Sequence, residues 1–323
     1  MTILAKASPS LALIKYWGKI PGATNIPATS SLAVTLDGLS TATRARLLPP
    51  GSATDEVIIN GEEQPLEAYI HVLDRIRQGA GRDDRVRMES TNTFPTSAGL
   101  ASSSSGFAAL TLAVSRLLGA DLSTAELSSI ARSGSGSASR ALLCGFTVWE
   151  RGSTTASAFL PATHWPELRI VVAVVDTGPK SIGSRPAMER SRTTSPFYSA
   201  WVERSDELFA AGKDAVAARD IRRLGEAMQQ SYLSMFSTMF TSSPPVFYWQ
   251  PTSVALIRFC AELRDRGIPA WETMDAGPQV KIVTTRDHAQ TITTELAGRH
   301  PELRLLVCRP GGDPEVSVEM ESE

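Results

Sequence analysis

The chain is poor in the residues that build metal centres and disulfide frameworks. Its three cysteines, Cys144, Cys260 and Cys308, lie far apart in the sequence. They have no ligand-type spacing, and an odd number is a poor basis for disulfides, so a reducing cytoplasm is the expected setting. The four histidines (His71, His164, His288 and His300) are equally scattered. None sits in a glycine- or serine-rich motif, so all four read as structural or surface residues. No run of about 18 uncharged apolar residues is found, which argues against a membrane-spanning helix. The opening Met-Thr-Ile-Leu-Ala-Lys has no apolar signal core. Neither sign of charge dominates, with 32 Lys and Arg against 34 Asp and Glu. That balance argues against nucleic acid or an anionic membrane as partner, but leaves room for a small anionic substrate in a local basic pocket. The P-loop pattern G-x-x-x-x-G-K-S/T is missing, and so is the G-x-S-x-G elbow of serine hydrolases.

What is present is an ordinary globular composition, 42% hydrophobic over 323 residues, enough for one large domain or two halves sharing an interface. The first third is patterned as strands. Residues 31–36 and 56–59 alternate, and Asn60-Gly61 is a hairpin signal. After a loop-like stretch at 95–106, Phe107, Leu110, Val114, Leu117 and Leu118 fall at helical spacing, and Gly119 is a natural stop. Ser123 and Glu126 have capping-box spacing for a second helix. Further on, 169–175 reads as a buried strand, 197–212, 213–235 and 252–266 as helices, 279–285 as a strand, 287–298 as a helix and 302–308 as a strand. The Gly-rich, then acidic tail from Pro310 is expected to fray. The whole is α+β, divided near residue 180 into a unit of 1–180 and a unit of 181–323.

Three segments can carry chemistry. Pro95-Thr-Ser-Ala-Gly-Leu-Ala-Ser-Ser-Ser-Ser-Gly106 precedes a helix. It reads either as a flexible serine-rich turn or as a phosphate site, where free backbone N–H groups meet the positive end of the helix dipole. Ser133-Gly-Ser-Gly-Ser-Ala-Ser-Arg140 is either a plain connection or a close-approach loop whose arginine grips a carboxylate or phosphate. Met274-Asp275-Ala-Gly-Pro278 is an Asx-type turn or a rigidly held carboxylate. Lys15-Tyr-Trp-Gly-Lys19 supplies lysines that would keep such a carboxylate ionised.

Taken in order, these segments resemble the mevalonate diphosphate decarboxylases, a branch of the GHMP kinases. The resemblance runs through Leu11-Ala-Leu-Ile-Lys-Tyr-Trp-Gly-Lys19, Ser31-Leu-Ala-Val-Thr-Leu-Asp37, Pro95 to Gly106, Gly134 to Arg140, Ser184-Arg-Pro-Ala-Met188 and Met274 to Pro278. It implies a GHMP-kinase fold of two lobes, an ATP-binding N-terminal one and a C-terminal one, with the active site in the cleft between them. It also implies ATP and Mg²⁺ as cofactors, a phosphorylated mevalonate as substrate and a homodimer. Asp275, Lys15 and Arg140 would be catalytic, with Asp275 at the C3 hydroxyl and Arg140 on the carboxylate. Tyr16, Lys19, Ser135, Ser137, Arg185 and Met188 would bind substrate. Asn92, Ser97, Gly99, Leu100, Ala101, Ser102, Ser103 and Ser105 would contact ATP and Mg²⁺, with Ser103 or Ser105 as the candidate metal ligand.

The sequence departs from that family at Ser10, where Asn is usual, at Thr29, at Glu62 and at Phe236 in the segment before Pro244-Pro245. These changes remove polar or positive groups, and a second phosphate needs several donors. The expected substrate on this reasoning is mevalonate 5-phosphate, decarboxylated to isopentenyl phosphate. Mevalonate 5-diphosphate is the alternative, and a 3-kinase that stops before CO2 loss is the alternative of another class.

Overall fold

The computed structural model describes residues 1–22, 24–94, 102–178 and 180–319. Two antiparallel-rich sheets organise them. The smaller sheet has six strands in the order Glu315–Glu319, Thr2–Ala7, Thr41–Leu47, Val86–Asn92, Glu56–Ile59 and Glu62–Glu63. The larger has eight. Seven run in the order Trp271–Met274, Val280–Thr285, Leu168–Val174, Arg304–Pro310, Ser31–Asp37, Phe146–Trp149 and Ser157–Leu160, and Ser10–Ile14 also pairs with Ser31–Asp37.

The expected strands lie where the patterning put them. Leu168–Val174 is flanked by antiparallel partners on both sides and all but one of its residues are buried, which is why its apolar run is continuous and not alternating. Asn60 and Gly61 both take positive φ, 50° and 86°, and turn Glu56–Ile59 into Glu62–Glu63, as an Asn-Gly hairpin requires.

The helix expected from Phe107 begins five residues earlier and runs Ser102–Leu118. Serine hydroxyls can cap or back-bond within a first turn, so serine content hid the helix start. The next helix, Thr124–Gly134, carries the expected capping box between Ser123 and Glu126. The long amphipathic region divides later than its periodicity suggests, into Tyr198–Ala218 and Ile221–Phe240. Arg219 at φ 54° ends the first helix. Asp220 caps the second, its carboxylate accepting from the N–H groups of Arg222 (3.1 Å) and Arg223 (3.0 Å). The helix Ile221–Phe240 lies close on the sheet at Gly225, where any Cβ would collide with the Trp271 ring.

Two expectations are corrected. The first third contains a helix, Ile70–Ala80, which the strand patterning did not reveal. The tail does not fray throughout, because Glu315–Glu319 pairs with Thr2–Ala7 in register from Thr2↔Glu319 to Lys6↔Glu315. Hydrophobic clusters fill the layers between sheets and helices. One is built on Trp17, Trp201, Phe236 and Met239, all buried, and it supports the segment that follows Ser10–Ile14. Burial of each such side chain contributes roughly 1.5–3 kcal/mol.

Candidate functional site

A cleft of about 610 Å³ gathers side chains that are distant in sequence. Lys15, Tyr16, Lys19, Ser102, Ser103, Ser135, Ser137, Arg140, Arg185, Met188 and Asp275 all line it. All eleven were expected there.

The centre is Asp275. It follows the strand Trp271–Met274, in a tight turn where the Gly277 N–H donates to the Asp275 carbonyl at 2.7 Å. Each carboxylate oxygen meets a lysine: Lys15 Nζ lies 2.8 Å from Oδ1 and Lys281 Nζ 3.0 Å from Oδ2. The two lysine side chains are 1% and 3% exposed, whereas Asp275 keeps 25% of its side chain open to the cleft. Burial alone would raise the Asp275 pKa, but the two ammonium groups outweigh it and hold the carboxyl well below the usual range. Lys15 is lowered to about 8, chiefly by burial and against the pull of Asp275. Its backbone N–H donates to Ser231 Oγ at 2.9 Å and its Nζ also donates to the Ala12 carbonyl at 2.8 Å, so the lysine is fixed from three directions.

Arg140 sits on the short helix Ala138–Ala141, 2% exposed. Burial lowers its pKa to about 10, which leaves it charged at neutral pH. Its Nη1 donates to Ser31 Oγ, while its buried Nε makes no hydrogen bond within the protein. A buried guanidinium with a spare donor on a cleft wall suits an incoming carboxylate. Tyr16 also lines the cleft, packed on Trp149 with ring centroids 4.8 Å apart. Its hydroxyl also lacks a protein partner and lies so near Gly136 that a Cβ there would come within 2.9 Å.

Lys19 and Arg185 both line the cleft, close enough for their charges to interact. Burial and then the Arg185 charge lower Lys19 to about 8, with Glu189 opposing. At another wall the helix Ser102–Leu118 presents its N-terminus, with no acidic residue in the first turn. Ser103 Oγ is 3.2 Å from Ser135 Oγ. Such a terminus offers N–H donors and a positive dipole end to an anion.

Some expected residues lie elsewhere. Ser105 is buried behind the helix start, its hydroxyl 2.6 Å from Thr41 Oγ1. Thr41 also donates to Asn92 Oδ1 at 2.5 Å. Ser105 and Asn92 thus brace the helix and are not among the cleft lining. Ser97, Gly99, Leu100 and Ala101 lie outside the described residues. Of the four departures, only Ser10 lines the cleft. Thr29 Oγ1 accepts from the Trp17 N–H at 3.4 Å, Glu62 is exposed on the outermost strand of the small sheet, and Phe236 is buried in an aromatic cluster with Trp249.

Sequence reasoning missed Lys281, Lys180 and Asn25. Lys180 lines the cleft and is lowered to about 8 by burial and by Lys281, against Asp275. Lys281 could have been found: a tight Gly277-Pro278 turn folds residues 280–285 back along 271–274, which returns a residue near 281 to the side of Asp275. Among the described residues, no group of three or more His, Cys, Asp or Glu could hold a metal ion, and no helix is long and apolar enough to cross a membrane.

Comparison with known proteins agrees with this geometry. The profile described as diphosphomevalonate decarboxylase-like N-terminal domain matches residues 7–160, and that of the mevalonate 5-diphosphate decarboxylase C-terminal domain matches 170–306. The diphosphomevalonate decarboxylase of Aspergillus fumigatus is 36% identical over 303 residues, covering 85% of this chain and 75% of the relative. The crystal structure of mevalonate diphosphate decarboxylase from Staphylococcus aureus superposes with a TM-score of 0.91 at 35% identity, covering 98% of both chains. A structure described as MDDEF in complex with MVAPP, AMPPCP and magnesium gives 0.90 at 35% identity, covering 98% of this chain and 99% of the other. The chain therefore belongs to the mevalonate diphosphate decarboxylase family, on the fold of the GHMP kinases.

Proposed function

We propose that the protein is an ATP-dependent decarboxylase acting on mevalonate 5-diphosphate. The observation that carries this reading is Asp275, ionised between Lys15 and Lys281 and opening on a cleft that also holds Arg140. ATP with Mg²⁺ supplies the phosphoryl group that turns a tertiary C3 hydroxyl into a leaving group. The residues present fit such a nucleotide, because the acid-free N-terminus of Ser102–Leu118 and the Ser103 hydroxyl face the cleft. Of the two serines considered for the metal, Ser103 is the one on the cleft, and Ser105 is engaged by Thr41.

Asp275 accepts the hydrogen bond of the C3 hydroxyl and aims its oxygen. With its pKa held so low it is a weak base, so its main contribution is orientation, with proton uptake late in the reaction. Lys15 and Lys281 keep the carboxylate charged and immobile. Arg140 holds the substrate carboxylate in place until CO2 departs. Tyr16, Lys19 and Arg185 receive the phosphate tail. A division of labour between units 1–180 and 181–323 is part of the same proposal.

The monophosphate reading keeps only Ser10 as physical support, since that departure alone among the four lines the cleft. It rested on lost donors, yet Thr29, Glu62 and Phe236 do not line the cleft. The cleft still carries Lys19, Arg185 and the Tyr16 hydroxyl, and the relatives are named for the diphosphate. The test is to offer mevalonate, its 5-phosphate and its 5-diphosphate with ATP and Mg²⁺ while measuring ADP and CO2 together. The diphosphate is expected to give the highest kcat/KM with equal ADP and CO2. A higher value for the 5-phosphate refutes the substrate assignment, and ADP without CO2 establishes the 3-kinase reading.

A further inference from the structure

The tail-binding end of the cleft is organised by a residue that the catalytic geometry does not use. Asn25 is 6% exposed and sits at φ 51° in the loop after Lys19. Its Oδ1 accepts from Lys19 Nζ at 2.5 Å. Its Nδ2 donates to two carbonyls at the C-terminus of the helix Thr124–Gly134, Arg132 O at 2.8 Å and Ser133 O at 3.0 Å. The next carbonyl, Gly134 O, accepts from Arg185 Nη2 at 3.2 Å. Three successive carbonyls at one helix end therefore hold both tail cations, one directly and one through Asn25. These are carbonyls left without helical partners, at the negative end of the dipole, where cations are favoured. The clamp is reciprocal, because the Arg132 side chain reaches back to the Thr24 carbonyl beside Asn25 and donates to Thr154 O at 2.7 Å.

We propose that Asn25 is a positioning and specificity-determining residue, which fixes the Lys19 ammonium at a set place relative to Arg185 and so favours a diphosphate tail over a monophosphate. This rests on the function proposed above. Two cations held by a rigid helix end match an anion with two charged groups. A single phosphate can satisfy only part of that arrangement, and a half-buried ammonium left without an anion is penalised by its partial desolvation. Burial and the Arg185 charge already weigh on Lys19.

The test is Asn25→Gly, which keeps the left-handed backbone available and removes only the amide. The KM for mevalonate 5-diphosphate is expected to rise about tenfold. The KM for ATP and the kcat should stay within about twofold, and the preference for diphosphate over monophosphate should narrow. Calorimetric binding of inorganic diphosphate to the whole protein should weaken in parallel. An Asn25→Gly protein with unchanged KM and unchanged diphosphate binding overturns the inference, as does one in which kcat and both KM values move together with Tm. Failure of wild-type protein to bind inorganic diphosphate overturns it as well. Wild-type protein that binds inorganic diphosphate but turns over none of the mevalonates refutes the proposed function alone, and the binding arm then decides the role of Asn25.

Discussion

Replacing Lys15 by Met is expected to stabilise the protein while removing its activity. Lys15 is 1% exposed and its pKa falls from 10.5 to about 8 in the folded chain. Holding that charge at neutral pH costs about 3 kcal/mol relative to the unfolded chain, even with Asp275 beside it. Met fills a similar volume without the charge. Against this gain stands the lost donor to the Ala12 carbonyl, about 1 kcal/mol. Removing one partner of a buried pair usually destabilises by leaving an uncompensated charge. Here Asp275 retains Lys281 at 3.0 Å, so that penalty is largely avoided. The net is about 2 kcal/mol of stabilisation, which for a chain of this length is a rise in Tm of about 3 °C. Turnover should fall by about 10²–10³-fold, the loss typical of one preorganised electrostatic contact. Thermal unfolding at pH 7 together with coupled ADP and CO2 assays would check both halves. A Tm lowered by several degrees would refute the electrostatic reasoning, because it would show that the ammonium stabilises the fold. The pH dependence supplies a second check. The unfolded chain binds the Lys15 proton more tightly, so this group contributes a rise in stability from about pH 8 to pH 10.5, and Lys15→Met should flatten the stability curve in that window.

Three further outcomes follow from the site. Asp275→Asn should keep nucleotide affinity, measured by fluorescence titration, and lose at least about 10³-fold in turnover; near-wild-type turnover would remove Asp275 from the chemistry. Arg140→Lys should reduce kcat/KM for the phosphorylated substrate about 10²-fold, because an ammonium cannot replace a planar fork of donors, and normal kinetics would show that Arg140 does not hold the carboxylate. Substrate affinity should decline as pH rises through about 8, where Lys19 loses its charge, and Lys19→Arg should move that alkaline limb of the KM profile upward while leaving a limb in kcat from Lys15.

Much of this could be read from the residues alone, and the failures have identifiable causes. Leu168–Val174 was legible because burial on both faces writes an unbroken apolar run. Asp275, Lys15 and Arg140 were brought together by the family resemblance, and all three line the cleft, whereas their residue types alone left a turn, a surface lysine and a plain connection open. The start of Ser102–Leu118 was not legible, since four serines in a row speak against a helix, and tertiary partners such as Ser137 O for Ser104 and Thr41 for Ser105 are invisible in the sequence. Lys281 and Asn25 were hidden because their roles are made by tertiary neighbours: one by a hairpin register, the other by the end of a helix more than 100 positions away. The monophosphate expectation is weakened for a related reason, since three of its four departures lie away from the cleft. Sequence shows that a polar group is missing, but only packing shows whether it ever faced the substrate.

The pairing of Thr2–Ala7 with Glu315–Glu319 bears on how the molecule is made. During translation the strand Thr2–Ala7 emerges early, and it can pair at once with Thr41–Leu47 on one side. Its other edge stays open until residues 315–319 have left the ribosome. Until then the small sheet carries an unpaired strand edge, the kind of surface that recruits foreign strands. A nascent chain stalled before residue 315 should therefore be more prone to aggregation than the finished protein, even though every residue lining the cleft has already been made.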